Sequence, residues 1–477
     1  MRERILALGL AAVGCLCACY APPVDPRHIT DEQGRALILH GLNVSSSAKD
    51  DPLRMPWVGP DDVTRMARDW GLNFARFLLQ WDALEPSPGV YDEAYLDRVA
   101  ERMTWFAAAG IFVVLDMHQD VYGKTDSDGR PIGYNGAPPW AFRTDGLPFS
   151  RSPVDFFLDY WQPAVMRAFD HFWDHAGHPE LQDRYAAAWA HVAERFRDDP
   201  TVLGYDLMNE PWAGTWLDGR VTDVEPFDAG PYRAFLERTI AAIRAVDPDG
   251  WIFYEPRAWG PNDGAESRIG LLDDPRPGER RLAYFPHYYS LFVDAFENYN
   301  RDADTSLERW AANRKREVDL QRAPLLIGEW GAGTHVLNWR EYLEDVARMA
   351  DRMTSGWAYW SYDRGGWSPI DAAGEEQPQA DVLVRAYPQR IAGRPRFVDY
   401  DPAARVLRLA FDERLGVSGP TEIYVPARRR FPGGFEVWVG DPEGSGSMEW
   451  DPDREILSLW TDPDTAHHEV SIFPAGG

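Results

Sequence analysis

The sequence predicts an α/β protein in two parts, a (β/α)₈ TIM barrel followed by a small C-terminal β-sandwich. Short apolar runs alternate with longer helix-like stretches as far as residue 360, the pattern of βα repeats. Eight such runs can be counted, the number that closes a barrel. Beyond residue 390 the helical period stops and short strand-like runs are separated by turn residues. A doubly wound open sheet is the alternative, but the glycine-rich fingerprint it would carry after its first strand is absent.

Residues 1–19 read as a signal peptide. Met1-Arg2-Glu3-Arg4 is a short charged start, and residues 5–19 are apolar and small, too short a run to span a bilayer. All three cysteines, Cys15, Cys17 and Cys19, lie here, so the rest of the chain has no disulfide framework. Leu16-Cys17-Ala18-Cys19 resembles a bacterial lipoprotein box, and Ala12-Val13-Gly14-Cys15 is a weaker version of one. The expectation is an exported protein, secreted or lipid-anchored at the cell surface through Cys15 or Cys19.

Residues 20–389 are assigned to the barrel, entered through a linker at 20–30. Its strand-like runs fall at 37–44, 74–79, 111–116, 202–208, 251–255, 282–286, 325–328 and 356–360. Near-continuous apolar runs suit a parallel sheet covered on both faces. Helices are expected at 61–70, 93–109, 185–197, 231–246 and 339–353. Two insertions follow the third run, which puts them on the face where barrels carry active sites. The first, 120–154, is rich in Gly, Pro and Asp and includes Trp140. The second, 155–183, carries Phe156, Phe157, Tyr160, Trp161, Phe169, Phe172 and Trp173, which either wall an apolar groove or pack a helix pair on the barrel. Residues 390–477 form the sandwich, with strands expected at 406–411, 421–425, 435–439, 456–460 and 469–473, and with a capping role favoured over ligand binding.

The chain has 477 residues and a net charge of −27, which excludes the basic footprint of a nucleic-acid binder. The chemistry gathers at strand ends. Arg76 interrupts an apolar run, and a guanidinium inside a barrel must be paired. Strand three ends in Asp116-Met-His118-Gln-Asp120, strand four in Asn209-Glu210-Pro211, strand six in His287-Tyr-Tyr289, strand seven in Gly328-Glu329-Trp330 and strand eight in Tyr359-Trp360. Two glutamates at the ends of strands four and seven suggest glycoside hydrolysis, one protonating the leaving oxygen and the other attacking carbon or activating water. Glu255, at the end of strand five, competes for a role but lacks a comparable polar neighbourhood in sequence. His118, His287 and the acids lack a metal-ligand spacing, so neither metal nor cofactor is expected.

Asn209-Glu210-Pro211 with Gly328-Glu329-Trp330-Gly331 resembles glycoside hydrolase family 5. The segments 46–49, 115–122, 136–141, 205–211, 286–289, 420–426 and 431–433 narrow the resemblance to the bacterial endoglycoceramidases, over nearly the whole mature chain. The resemblance implies a retaining endo-β-glycosidase that cleaves glycosphingolipids between oligosaccharide and ceramide. It implies Glu210 as acid/base and Glu329 as nucleophile, the latter oriented and held ionised by Arg76 and Tyr289. Asn209 would bond the sugar 2-hydroxyl. Lys49, Asp116 and His118 would contact sugar hydroxyls, Trp360 would floor the sugar, and His287 would support the site. Trp330 stands where phenylalanine is usual, which puts the pocket wall and substrate preference in question. Trp140 and residues 155–173 are candidates for a lipid channel. The implied partners are a glycosphingolipid and, transiently, a membrane or micelle, with the protein acting as a monomer. The alternatives are a family 5 β-glucanase or mannanase acting on a polysaccharide, and a non-catalytic glycolipid-binding surface protein.

Overall fold

The computed structural model describes residues 27–217 and 225–476. The signal-peptide reading of residues 1–19 falls outside the described residues. Eight parallel strands build the barrel: His40–Val44, Phe74–Leu79, Phe112–Met117, Val202–Asp206, Trp251–Tyr254, Leu282–Tyr284, Leu326–Ile327 and Gly356–Tyr359. The first six pair in sequence order, and the eighth pairs with both the first and the seventh. A parallel bridge between Tyr284 and Leu325 closes the last seam.

Each of the eight expected runs supplies a barrel strand; most ends move by one or two residues, and one run changes more. The run at 37–44 divides in two. Ala36–Leu37 pairs antiparallel with Tyr387–Ile391, and the chain enters the barrel only at His40. Both halves of the divided run are buried, although in different sheets, so nothing in its burial marks the break.

Alternate strand residues fill the barrel interior, among them Phe74, Val114, Phe253, Phe285 and Ala358. The other strand faces meet the helices in the larger outer core. Helix Glu93–Ala109 is set by its ends. Asp92 accepts from the Tyr95 N–H at 2.9 Å, and Gly110 turns left-handed at φ 72°. The helix expected at 185–197 begins earlier, as Pro179–Phe196, because Pro179 is well placed in a first turn. Helix Ser306–Gln321 lacks a clean apolar stripe, since Arg314 and Glu317 are buried beside Leu307 and Trp310.

The aromatic insertion divides between the two readings open in sequence. Helix Pro163–Trp173 buries Phe169, Phe172 and Trp173 in the outer core. The turn before it, Phe156–Trp161, leaves Phe156 exposed and Phe157 half-buried against Trp259. Trp140 is held as packing, edge-on to Trp81 and donating from Nε1 to the Glu85 carbonyl at 3.1 Å.

Behind the barrel, two antiparallel sheets form the sandwich. One contains Ala36–Leu37, Tyr387–Ile391, Thr421–Tyr424, Ile456–Trp460 and Ser447–Asp451; the other contains Arg394–Asp401, Val406–Asp412, His467–Pro474 and Phe435–Val439. Arg348 and Arg352 of helix Trp339–Arg352 pair with Asp399, tying sandwich to barrel.

Candidate active site

Arg76 lies at the centre of the barrel mouth, fully buried on the second strand. Its Nε donates to Asp206 Oδ2 at 2.8 Å. Nη1 donates to Glu329 Oε1 at 2.7 Å and to Asn43 Oδ1 at 3.0 Å. Nη2 donates to Asn209 Oδ1 and Glu255 Oε1, both at 2.9 Å, and stands 2.9 Å from Asp116 Oδ1. Burial opposes its charge, but the four surrounding carboxylates outweigh that and raise Arg76 well above its ordinary value. Burial pushes Asp206 up to about 6 against the pull of Arg76, with Asp116 adding to the rise.

Strand four is ordered as strand only to Asp206, but its backbone stays in register past that point. The Leu207 N–H donates to Phe253 O and the Asn209 N–H to Met117 O. Glu210 then turns out at φ 43°, a left-handed conformation rare for a residue with a Cβ. Gln119 Nε2 clamps this exit, donating to the carbonyls of Asn209 at 2.9 Å and Glu210 at 3.0 Å. Asn262 Nδ2 and His287 Nδ1 both reach Glu210 Oε1, at 2.7 and 3.0 Å.

Glu329 comes from the end of strand seven. Besides Arg76, it receives the Tyr289 hydroxyl on Oε2 at 3.0 Å. Gly328 precedes it because there is no room for a side chain: an added Cβ would stand 2.9 Å from the His287 ring. One carboxylate oxygen each from Glu210 and Glu329, with a His287 ring nitrogen, lie within 4.8 Å of one another. This is closer than the ~6.5 Å or more that an inverting pair leaves for water and agrees with the narrow gap of a retaining one. Asp116, Asp206 and Glu255 cluster as tightly, but around the Arg76 guanidinium. In both groups the acids face N–H and O–H donors of the protein.

A second polar group lies beside this pair. His118 Nδ1 bonds Asp116 Oδ2 at 2.7 Å, and Nε2 stands 3.6 Å from Asp120 Oδ2. Lys49 Nζ pairs with Asp120 Oδ2 at 2.7 Å and sits 4.4 Å from the centre of the Trp360 ring. Trp360 stacks on His118 with ring centres 5.5 Å apart. Burial and Lys49 oppose charge on His118, but Asp116 and Asp120 raise it above its ordinary value. Burial would raise Asp120, yet Lys49 and His118 hold it well below the usual carboxylate range.

Residues 30–366 match the family described as Cellulase (glycosyl hydrolase family 5), and residues 385–472 match the Glycoside hydrolase family 5 C-terminal domain. The chain belongs to glycosyl hydrolase family 5. It is similar to endo-glycoceramidase II from Rhodococcus sp., solved in complex with ganglioside GM3, at 40% identity and a TM-score of 0.86, covering 94% of this chain and 100% of that one. The same enzyme solved as a lactosyl-enzyme intermediate gives 39% identity and a TM-score of 0.84, with the same coverage. Endoglycoceramidase I of Rhodococcus hoagii is 28% identical over 448 residues, 92% of this chain and 85% of the relative.

The family 5 site gathers all ten residues singled out in sequence: Lys49, Arg76, Asp116, His118, Asn209, Glu210, His287, Tyr289, Glu329 and Trp360. Three of the readings change. Asp116 is fully buried, with Oδ2 bonded to His118 and Oδ1 2.9 Å from Arg76, so both carboxylate oxygens face the protein and not an open sugar site. Glu255 has the polar surroundings its flanking sequence lacks, contacting Arg76, His287 and the Glu210 backbone. Trp330 is fully buried, edge-on to Trp357 and Tyr359 in the outer core, so its bulk does not wall the pocket. Asp120, Gln119 and Asn262 join the site. Asp120 and Gln119 lie in the polar cluster ending strand three, whereas Asn262, in the turn Pro261–Asp263, has no local signal.

Proposed function

We propose that this chain is a retaining endo-β-glycosidase that hydrolyses the bond between the oligosaccharide and ceramide of glycosphingolipids. The observation that carries the reading is the Glu210–Glu329 pair at retaining distance, in a chain that aligns end to end with an enzyme solved on a ganglioside and as a lactosyl-enzyme intermediate. In the first step Glu329, oriented by Arg76 and Tyr289, attacks the anomeric carbon. Glu210 gives its proton to the departing ceramide oxygen. In the second step Glu210 takes a proton from water, and that water releases the sugar from Glu329. Lys49, His118, Asp120 and Trp360 hold the sugar, with polar groups for its hydroxyls and an aromatic face beside them.

Apolar side chains at the mouth support the lipid half of this reading. Residues 154–158 present Val154, Phe156 and Leu158, and helix Leu291–Phe296 presents Leu291, Phe292 and Phe296; Val154 is 84% and Phe296 67% exposed. The Leu291 N–H donates to Asp263 Oδ1, next to the Asn262 that bonds Glu210, and Phe157 stacks on Trp259 just before that turn, so both segments adjoin the turn that holds the proton donor. Such a patch suits transient seating on a membrane or micelle. We place the mature enzyme outside the cytoplasm, secreted or lipid-anchored, on the strength of residues 1–19; mass spectrometry of its N-terminus tests this.

A substrate panel tests the activity. Lactosylceramide is expected to yield free lactose and ceramide on thin-layer plates, and cellulose and mannan no reducing sugar. The opposite pattern would replace this reading with the polysaccharide one.

A further inference from the structure

We propose that Glu255 is a positioning residue for the proton donor, holding Glu210 from two directions at once: through its backbone N–H and through His287. This rests on the assignment of Glu210 as acid/base.

The contacts form a closed ring. Glu255 Oε2 accepts the Glu210 backbone N–H at 2.9 Å. Glu255 Oε1 stands 3.1 Å from His287 Nε2 and accepts from Arg76 Nη2 at 2.9 Å. His287 Nδ1 then reaches Glu210 Oε1 at 3.0 Å. Glu210 has the left-handed φ of 43°, and strain of this kind persists only where the surroundings over-determine the conformation. Glu255 supplies that constraint on the backbone. Glu210 Oε1 takes both His287 and Asn262, which assigns Oε2 to the glycosidic oxygen.

The charges facing this ring come from every neighbouring strand. Arg76 projects from strand two, Asp116 from strand three and Asp206 from strand four. Tyr289 projects from the end of strand six and Glu329 from the end of strand seven. The Tyr232 hydroxyl donates to the Glu255 carbonyl at 2.7 Å. Burial opposes a charge on His287, but Glu255 and Glu329 outweigh it and raise the ring well above its ordinary value. A protonated ring has two N–H groups, one bonding Glu210 and one facing Glu255 Oε1 at 3.1 Å; a neutral ring has only one. Glu255 therefore favours the charged ring, whose Nδ1 proton is then held on the Glu210 carboxyl.

The experiment compares wild type with Glu255→Gln on two lactosides. Lactosylceramide has a poor leaving group that needs the proton; β-lactosyl fluoride departs without much proton assistance. The variant is expected to lose about 100-fold in kcat/KM, which reports the first step alone, on lactosylceramide, within the range of a general acid, and only a few-fold on the fluoride. Equal losses on both substrates, or no loss on either, overturn the proposal, since a purely structural role lowers both alike. A second measurement needs no variant. Histidine-labelled wild type followed by NMR is expected to show His287 protonated on both nitrogens at pH 7.5, and a neutral ring there overturns the proposal even if Glu255→Gln does not fold. Wild type that hydrolyses the fluoride but spares lactosylceramide retires the lipid reading alone; methyl β-lactoside, whose alkoxide leaving group also needs the proton, against the fluoride then supplies the comparison.

Discussion

Arg76 Nη1 lies 2.7 Å from Glu329 Oε1, and the same guanidinium touches Asp116, Asp206 and Glu255. Glu329, the proposed nucleophile, is thus fixed by a cation that cannot move without leaving three other buried acids uncompensated. Stability and the proposed chemistry share one side chain. Arg76→Met is expected to destabilise the fold by about 3–5 kcal/mol, the usual cost of removing one partner from buried charges. Chemical denaturation measures the loss. A change below about 1 kcal/mol would mean that the acids are neutral without the arginine.

The two glutamates separate by leaving group. Glu210→Ala is expected to lose about 10²–10⁴-fold on lactosylceramide and to recover on para-nitrophenyl lactoside when azide is added, giving the β-lactosyl azide. Glu329→Gln is expected to lose turnover on every substrate, fluoride included. Recovery of the α-azide from the Glu210 variant would contradict retention.

His118 makes stability depend on pH with a defined sign. Its folded value is raised above the ordinary ~6.5. The stabilisation is therefore fully present below that ordinary value and is lost as pH rises through the raised one. The difference in unfolding free energy between wild type and His118→Asn is expected to shrink from pH 6 to pH 9. Asp120, held low, acts in the opposite sense: its contribution is full above about 4 and fades only as pH falls below that. A wild-type advantage that grows with pH would mean His118 is neutral in the fold.

The exposed mouth residues predict an interfacial effect. Phe156→Ser with Phe296→Ser is expected to weaken sedimentation with lactosylceramide vesicles about tenfold or more, since each phenylalanine is worth ~1.5 kcal/mol or more on burial. Hydrolysis of soluble para-nitrophenyl lactoside is expected to stay within twofold. Unchanged vesicle binding would remove the membrane from the reading.

The barrel strands were legible because a parallel sheet covered on both faces leaves runs such as 74–79 and 111–116 almost wholly apolar, with the exceptions, Arg76 and Asp116, marking the site. The sandwich was less legible. Tyr387–Ile391 contains Pro388 and Gln389, and Ser447–Asp451 is an edge strand whose side chains are mostly exposed, so neither carries a buried alternation. Within the site, the convergence of polar strand ends was readable, but the partners of an acid with no polar neighbour in sequence were not. Glu255 sits in Phe253-Tyr254-Glu255-Pro256, with no polar partner in sequence, and its carboxylate acquires its partners from strands two, four and six. Trp330 was misplaced for a related reason: it follows Glu329 by one residue, and successive side chains leave a strand on opposite faces.

The short pairing of Ala36–Leu37 with Tyr387–Ile391 gives the chain the topology of a clasp. The segment leading into the first barrel strand is fastened by a part of the chain made some 350 residues later. A ribosome would therefore deliver a barrel whose lead-in segment has no partner until the last domain emerges to secure it. Deleting the sandwich to obtain a smaller catalyst would leave the first barrel strand its two barrel neighbours but strip the partner from the buried segment before it, so the cut would expose apolar side chains on both domains.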